Sequence, residues 1–178
     1  MAETTAPAST PATKRGPKKH FLEALGREYE RTLRLLRAFP ADKADFKPHE
    51  KSSSARDVAY TLARGSALMT KALTTGFDWS KPGAPPPTPE TMAEVVKAVE
   101  TQYGQLVETA TRMQEAELDE TVQFFVAPKT LGDVTKMDFL WMVLFDHVHH
   151  RGQLSVYMRM LDAKVPSIYG PSADEPWR

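Results

Sequence analysis

Apolar residues recur at helical spacing in four separate segments of this sequence, and this repeat limits the possible folds more than any other feature. The segments are residues 20–38, 54–76, 88–113 and 135–163. Within each, apolar side chains three, four and seven positions apart form one stripe along a helix, which must be buried against another element. Four amphipathic helices joined by two long connections predict an all-α fold, a four-helix bundle.

Residues that favour helix starts stand at the beginning of three segments. Ser54-Ala55-Arg56-Asp57 and Thr135-Lys136-Met137-Asp138 place a hydroxyl at the N-cap and an acid three residues later, as in a capping box. Thr88-Pro89 predicts an N-cap followed by proline at the first helical position, where no N–H is needed. The second, third and fourth helices are therefore expected to begin at these points.

The segments outside the helices are extended or irregular. Residues 81–87 are too rich in proline for anything but an extended linker. Residues 119–132 break the helical repeat, and residues 121–126 favour a short strand or an extended crossover. Residues 1–19 are rich in Ala, Thr and Pro, which predicts a disordered tail. Residues 20–178 are then one folded domain.

The composition excludes several classes of site and partner. A chain of 178 residues can bury its core without disulfides, and the absence of cysteine leaves only nitrogen and oxygen ligands for a metal. The formal net charge of +0 gives no reason to expect nucleic acid. No apolar run approaches the roughly 20 residues of a membrane span, and the N-terminus lacks the apolar core of a signal peptide. We therefore expect a soluble, cytoplasmic protein that binds neither nucleic acid nor membrane.

The last helix carries three of the five histidines, in the run Asp146-His147-Val148-His149-His150-Arg151-Gly152-Gln153. A helix turns by about 100° per residue, which places Asp146, His150 and Gln153 on one stripe with the apolar residues of this helix. His147 then falls near the edge of that stripe, where packing or a subunit contact is expected, and Arg151 falls on the polar side. The spacing predicts that Asp146 and His150 are buried, where a carboxylate needs a metal, a proton or a hydrogen-bond partner.

The spacing of Asp146 and His150 is compatible with two different roles for this pair. Side chains four residues apart project from adjacent turns and can chelate one divalent ion, with further ligands from facing helices. The same two side chains can instead form a structural hydrogen bond in the core. Gln153 is expected to hydrogen-bond either a ligand or Asp146. His49, in the loop before the second helix, is expected either at a pocket rim or at the plain surface.

Three stretches of the sequence resemble a known family. His149-His150-Arg151-Gly152-Gln153-Leu154-Ser155-Val156-Tyr157-Met158-Arg159 and residues 165–175 resemble the C-terminal signature of the DinB-like (YfiT-like) metalloenzymes. Pro48-His49-Glu50-Lys51-Ser52 resembles the segment ahead of that family's second helix. The resemblance covers roughly residues 20–176. It implies a four-helix bundle, usually a homodimer, that holds a divalent ion.

The resemblance also implies a set of metal ligands. In the family, three histidines generally bind the ion, one from the second helix and two spaced by four on the last helix. Matching His150 to the final ligand puts Asp146 at the preceding position. Matching Lys51-Ser52 through Ala59 puts Thr61 at the position on the second helix. Two of the three positions are therefore substituted, and a threonine hydroxyl is a poor ligand for zinc or nickel.

Two functions are compatible with these residues. The resemblance implies a divalent-metal-dependent hydrolase or thiol S-transferase, whose zinc, nickel or manganese is held by Asp146, His150 and Thr61 at an atypical or degenerate site. The alternative is a metal-free dimeric bundle that binds a small ligand or a partner. In both cases His49 and Gln153 are candidates for contacts to a cofactor or ligand. The C-terminal residues 174–175, Asp-Glu, are candidates for a lid over the pocket.

Overall fold

The computed structural model describes residues 16–80, 83–84 and 86–178. Four helices and one hairpin follow one another along these residues: α1 (Pro17–Ala38), α2 (Ala55–Leu73), α3 (Met92–Arg112), β1 (Thr121–Ala127), β2 (Thr130–Thr135) and α4 (Lys136–Met160). Short 3₁₀ turns, Ala41–Lys43 and Glu115–Leu118, lie after α1 and after α3. The predicted four-helix bundle is confirmed, with a two-stranded antiparallel sheet added to it.

Hydroxyl side chains begin α2 and α4 as the sequence predicts. Ser54 Oγ accepts a hydrogen bond from the Asp57 amide at 3.1 Å, and Thr135 Oγ1 accepts one from the Asp138 amide at 3.1 Å. Each bond satisfies one of the amide groups that the first turn of a helix leaves unpaired. Both predicted starts are therefore confirmed.

The predicted start of the third helix at Thr88-Pro89 is wrong. Thr91 and Glu94 form a reciprocal capping box, and α3 begins after it. Thr88 instead donates its hydroxyl to Asp57 Oδ1 at 2.8 Å, which ties the end of the linker to the first turn of α2. Thr88 thus contacts another helix, a role that local sequence signals do not reveal.

Parts of the predicted tail and linker lie outside the described residues, namely residues 1–15, 81–82 and 85. Within the described part, α1 begins at Pro17, three residues before its expected start at His20. Proline is well suited to the first turn of a helix because no hydrogen bond from its nitrogen is needed there.

Residues 121–126, predicted as a strand or a crossover, form β1 and pair with β2, whose strand the sequence pattern did not reveal. The hairpin packs on the bundle through Phe124, whose ring meets that of Phe139 edge-on at 4.8 Å between centroids. Trp79 Nε1 donates to the Gln123 carbonyl at 2.8 Å and joins the segment after α2 to β1. The hairpin therefore forms a fixed wall beside α2 and α4.

The bundle is built around α2, which packs against both α3 and α4, while α1 packs against α3 and α4. Helices α2 and α4 run antiparallel. The Tyr157 hydroxyl near the end of α4 donates to the Ser53 carbonyl ahead of α2 at 3.2 Å, so the end of one helix lies beside the start of the other. The largest fully buried side chains are Phe21, Phe139, Leu35, Leu36, Leu62, Met69, Leu106, Leu140, Leu154, Met158 and Val95. No helix in the described ranges has an apolar stretch long enough to cross a membrane.

Helix α4 is rotated relative to the sequence prediction. Its buried residues are Phe139, Leu140, Val143, Leu144, His147, Arg151, Leu154, Tyr157 and Met158. The buried stripe is thus centred on His147 and Arg151, and the prediction that Asp146 is buried is wrong, since its side chain is 53% exposed. The reason is that α4 carries apolar residues around its whole circumference, so periodicity alone did not define the buried face. The exposed ones are Met142, Phe145, Val156 and Met160.

Candidate functional site

Asp146 and His150 lie side by side on α4, with Nε2 of His150 at 3.3 Å from Oδ2 of Asp146. On the other side of the ring, Nδ1 of His150 faces Oε1 of Gln153 at 2.9 Å. Gln153 therefore bonds His150 and not Asp146. A ring held through one nitrogen presents the other nitrogen in a fixed direction, an arrangement also found around metal-ligating histidines. The structure thus brings the three predicted α4 residues together and aims His150 at Asp146.

Thr61, the candidate on α2, lies on the wall of the same groove as Asp146. Its hydroxyl donates to the Asp57 carbonyl one turn earlier at 3.0 Å. This is the common local bond of a threonine inside a helix, which satisfies the hydroxyl proton without any ligand. Thr61 and Asp146 therefore share one groove, but Thr61 brings only a neutral oxygen to it.

The groove between α2 and α4, called here the α2–α4 groove, has a volume of about 680 Å³. Its lining residues are Thr61, Arg64, Gly65, Ala67, Leu68, Lys71, Gly83, Pro86, Phe124, Met142, Val143 and Asp146. Most of the wall is apolar, and the charged groups are two cations on α2 and one carboxylate on α4. Within the described residues, His49 is not part of this lining; it is exposed, and its Nδ1 accepts a hydrogen bond from the Lys51 amide at 3.1 Å.

His147 packs against Gly65, one of the residues that line the α2–α4 groove. A β-carbon at Gly65 would lie 2.1 Å from Nε2 of His147 and 3.1 Å from Cγ1 of Val143, so only glycine leaves room for the ring. Nε2 is buried and has no hydrogen-bond partner among the described residues. Burial lowers the pKa of His147 to about 4, against the opposing effect of Asp146, so the ring is neutral near pH 7. The sequence places Gly65 on the inward stripe of α2 but did not reveal its contact with His147, although a glycine inside a helical repeat was a usable signal.

Arg151, expected on the polar side of α4, is only 2% exposed and faces α1. Its Nη2 donates to Oε2 of Glu28 at 2.6 Å, and its Nη1 donates to the Glu28 carbonyl at 3.1 Å. Tyr169, from the segment after α4, accepts a bond from Arg151 and donates one to Oε2 of Glu28. Burial raises the pKa of Glu28, but the bonds from Tyr169 and Arg151 outweigh it and lower the pKa overall. We call these three residues the Glu28–Arg151–Tyr169 clamp.

Asp174 and Glu175 hold the C-terminal segment against the clamp side of the bundle. Asp174 pairs with Arg159 of α4 at 2.6 Å, and Glu175 pairs with Arg34 of α1 at 2.5 Å. Neither acid lines the α2–α4 groove among the described residues. The prediction that these two acids form a lid over the pocket is therefore wrong, because they pair with Arg159 and Arg34 on the side of α4 that faces away from the groove.

The residues present supply two of the three donors that the family resemblance implies. Two ligands of a tetrahedral ion with bonds of about 2.1 Å stand roughly 3.4 Å apart, close to the 3.3 Å from Nε2 of His150 to Oδ2 of Asp146. The third position holds Thr61, and Nε2 of His147 faces the α2 backbone. Within the described ranges, no group of three His, Cys, Asp or Glu residues could hold an ion. The donor set therefore does not fit a three-histidine metal centre.

Comparison with known proteins shows which proteins share this fold. The chain is 24% identical over 158 residues to the uncharacterized protein YrdA of Bacillus subtilis (strain 168), covering 88% of this chain and 90% of that protein. It is similar in structure to a DinB-like protein from Bacillus cereus ATCC 10987, with a TM-score of 0.70 at 19% identity over 84% of this chain and 95% of that one. It is also similar to the DinB-like protein YjoA of Bacillus subtilis, with a TM-score of 0.65 at 17% identity over 89% of this chain and 99% of that one.

The sequence profile of the DinB family matches residues 9–177, which is nearly the whole chain. The solved DinB-like structures show the same fold at low sequence identity. The resemblance inferred from the segments ahead of α2 and at the end of α4 is thereby confirmed, and this chain belongs to the DinB family.

Proposed function

We propose that this DinB-family protein binds a small molecule in the α2–α4 groove without a metal ion. The observation that carries the proposal is an open, largely apolar groove beside an incomplete set of metal donors. The groove volume of about 680 Å³ lies within the range of small-molecule sites, and an apolar wall with a few polar groups is typical of such sites. Asp146 and the two cations of α2 are the groups that would orient a ligand.

The second candidate is the metal-dependent hydrolase or thiol S-transferase that the family resemblance implies. Two observations favour it: Gln153 orients the ring of His150, and Nε2 of that ring lies at a ligand-like distance from Asp146. It requires a third donor, which Thr61 supplies poorly because a neutral hydroxyl binds zinc or nickel weakly.

Metal content separates the two candidates. Tag-free full-length protein, purified without chelator and then incubated with zinc, nickel or manganese, is analysed by elemental mass spectrometry. We expect far less than one ion per chain in the wild type. We expect about one ion per chain in Thr61→His, which supplies the missing donor, and loss of that ion when His150→Ala is added. Near-stoichiometric metal in the wild type that His150→Ala removes would instead establish the metal-dependent candidate.

Binding of the neutral fluorescent probe N-phenyl-1-naphthylamine tests the groove itself. We expect saturable binding that Leu68→Asp weakens by about tenfold or more, because a carboxylate in the apolar wall is costly to desolvate. Leu131→Asp is the matched control, since Leu131 is 40% exposed against 38% for Leu68 and does not line the groove. Absence of binding, or an equal effect of the two substitutions, would overturn the groove as the ligand site.

We also propose that the protein forms a homodimer and is located in the cytoplasm. The exposed apolar face of α4, which includes Phe145 and Val156, is suited to contact with a second copy of the chain. Light scattering at micromolar concentration is expected to give the mass of a dimer, and a monomer would contradict this part of the proposal.

A further inference from the structure

Helix α2 presents two cations to the α2–α4 groove. Arg64 and Lys71 both line it, and they share a helix face because they are seven residues apart. Their contacts are with aromatic rings: the guanidinium carbon of Arg64 lies 5.7 Å from the centroid of Tyr60, and Nζ of Lys71 lies 5.7 Å from that of Phe77. Within the described residues, no carboxylate lies within ion-pair distance of either cation.

The carboxylates near the groove form no ion pair with these cations within the described residues. Asp146, the acidic residue among the lining residues, faces His150 instead. The pKa of Asp78 is lowered mainly by hydrogen bonds from Ser80 and least by the charge of Lys71, and no ion pair between Asp78 and Lys71 is found in the described part of the chain. Among the residues that line the groove there are therefore two cations and one carboxylate.

Several other arginines on the helices have carboxylate partners, unlike Arg64 in the part of the chain that the structure describes. Arg37 pairs with Glu100 at 2.6 Å, and Arg34 pairs with Glu175 at 2.5 Å. Between Arg64 and Lys71 the wall is instead apolar, formed by Ala67 and Leu68 with Met142 across from them on α4. A wall with an apolar middle and unpaired cations is complementary to a ligand that has an apolar body and its own negative charge.

We propose that the ligand of the α2–α4 groove is an amphipathic anion, whose carboxylate, sulfonate or phosphate is bound by one of the two cations, Arg64 or Lys71, at the ends of the apolar wall. Its apolar body lies against Leu68 and Met142. This inference rests on the proposed function, because it names the chemical class of the ligand for the same groove.

Displacement of N-phenyl-1-naphthylamine from full-length protein by three ligands with the same chain tests the inference. The ligands are decanoate, decanol and decylamine, with the two ions kept below their micellar concentrations and decanol below its solubility limit. We expect decanoate to bind at least about tenfold more tightly than decylamine, and more tightly than decanol, because a charge-assisted hydrogen bond adds this much affinity. In Arg64→Gln/Lys71→Gln the preference is expected to disappear. Lys97→Gln, an exposed lysine of α3 outside the groove lining, is expected to keep it.

Three other results of this displacement experiment would each contradict one part of the proposal. If decanol binds as tightly as decanoate, or decylamine binds best, the anionic class is wrong while the groove remains a small-molecule site. If the double variant keeps the wild-type preference, Arg64 and Lys71 do not bind the head group. If the probe itself does not bind, the proposed function fails and not only the ligand class. Circular dichroism of both variants checks that the helices are intact.

Discussion

The two sides of α4 differ in how their charges are used. Toward α1, Arg151 is buried and its guanidinium bonds Glu28 and Tyr169. Toward α2, Arg64 and Lys71 line an open groove and contact only rings within the described chain. Burying a charge costs several kcal/mol unless it is paired, so the buried arginine must be paired whereas the groove cations stay hydrated. The charges that stabilise the fold and the charges available to a ligand therefore lie on opposite sides of a single helix, α4.

The largest expected effect comes from removing the buried arginine. Arg151→Leu removes the buried guanidinium that bonds Glu28 and Tyr169, while the half-buried Glu28 keeps its ion pair with Arg31 at 2.6 Å. We expect the free energy of unfolding in urea to fall by about 2–3 kcal/mol. The matched change on the groove side, Arg64→Leu, is expected to alter it by less than about 0.5 kcal/mol, because a half-exposed side chain without an ion pair is removed. Equal losses in the two variants would remove the distinction between the two sides.

Two glycine substitutions test how tightly His147 packs against α2. Gly65→Ala puts a β-carbon 2.1 Å from Nε2 of His147, and overpacking of this kind is expected to cost about 1–3 kcal/mol in urea unfolding. Gly104→Ala on α3 has no atom within 4 Å of the new carbon and is expected to stabilise the protein by roughly 0.5–1 kcal/mol. In a double-mutant cycle the cost at Gly65 should largely vanish when His147→Ala is also present. A cost that persists would point to a cause other than the ring.

Lowering the pH is expected to weaken the Glu28–Arg151–Tyr169 clamp and so to lower the stability of the fold. The pKa of Glu28 is lower in the folded protein than its ordinary value of 4.5. At a pH just below 4.5 this carboxylate is therefore still ionised in the folded state, whereas in the unfolded chain it is already more than half protonated. Its contribution is fully present above pH 4.5 and is lost as the pH falls through the folded value. We therefore expect the acid limb of a stability curve to be shallower in Glu28→Gln than in the wild type. Arg64→Gln should keep the wild-type limb, and a shallower limb in that variant would contradict the assignment.

The smallest effects are expected along α2. Ser54→Ala removes the N-cap bond to the Asp57 amide and should cost about 1 kcal/mol in thermal or urea unfolding. Thr61→Ala removes only a bond to the carbonyl one turn earlier, so we expect a change within about 0.5 kcal/mol. A loss at Thr61 as large as that at Ser54 would show that the groove wall contributes to the fold.

The bundle could be predicted from the sequence because its determinants are local. Helical spacing of apolar residues marked the four helices, and Ser54 and Thr135 marked two starts by bonds to amides three residues later. The error at Thr88 shows the limit of such signals, since that hydroxyl bonds Asp57 of another helix. The strand β2 was missed because it depends on pairing with β1 and not on its own pattern.

The candidate site was predicted only in part because its determinants are distant in sequence. Asp146, His150 and Gln153 were correctly grouped, since they lie within two turns of one helix. The burial of Arg151 depends on Glu28, which is 123 residues away, and no periodicity reveals such a partner. Arg151 was predicted to face outward because it is a polar residue in an apolar helix. It is buried instead, since hydrogen bonds to Glu28 of α1 compensate the cost of its burial.

Methyl NMR of the full chain with labelled methionines tests whether the α2–α4 groove is the ligand site. Met142 lines the groove, Met160 is exposed on α4 outside its lining, and Met158 is buried. On titration with N-phenyl-1-naphthylamine we expect a saturable shift of the Met142 methyl, with Met158 and Met160 unmoved. A saturating shift at Met160 with none at Met142 would place the ligand elsewhere and contradict the account.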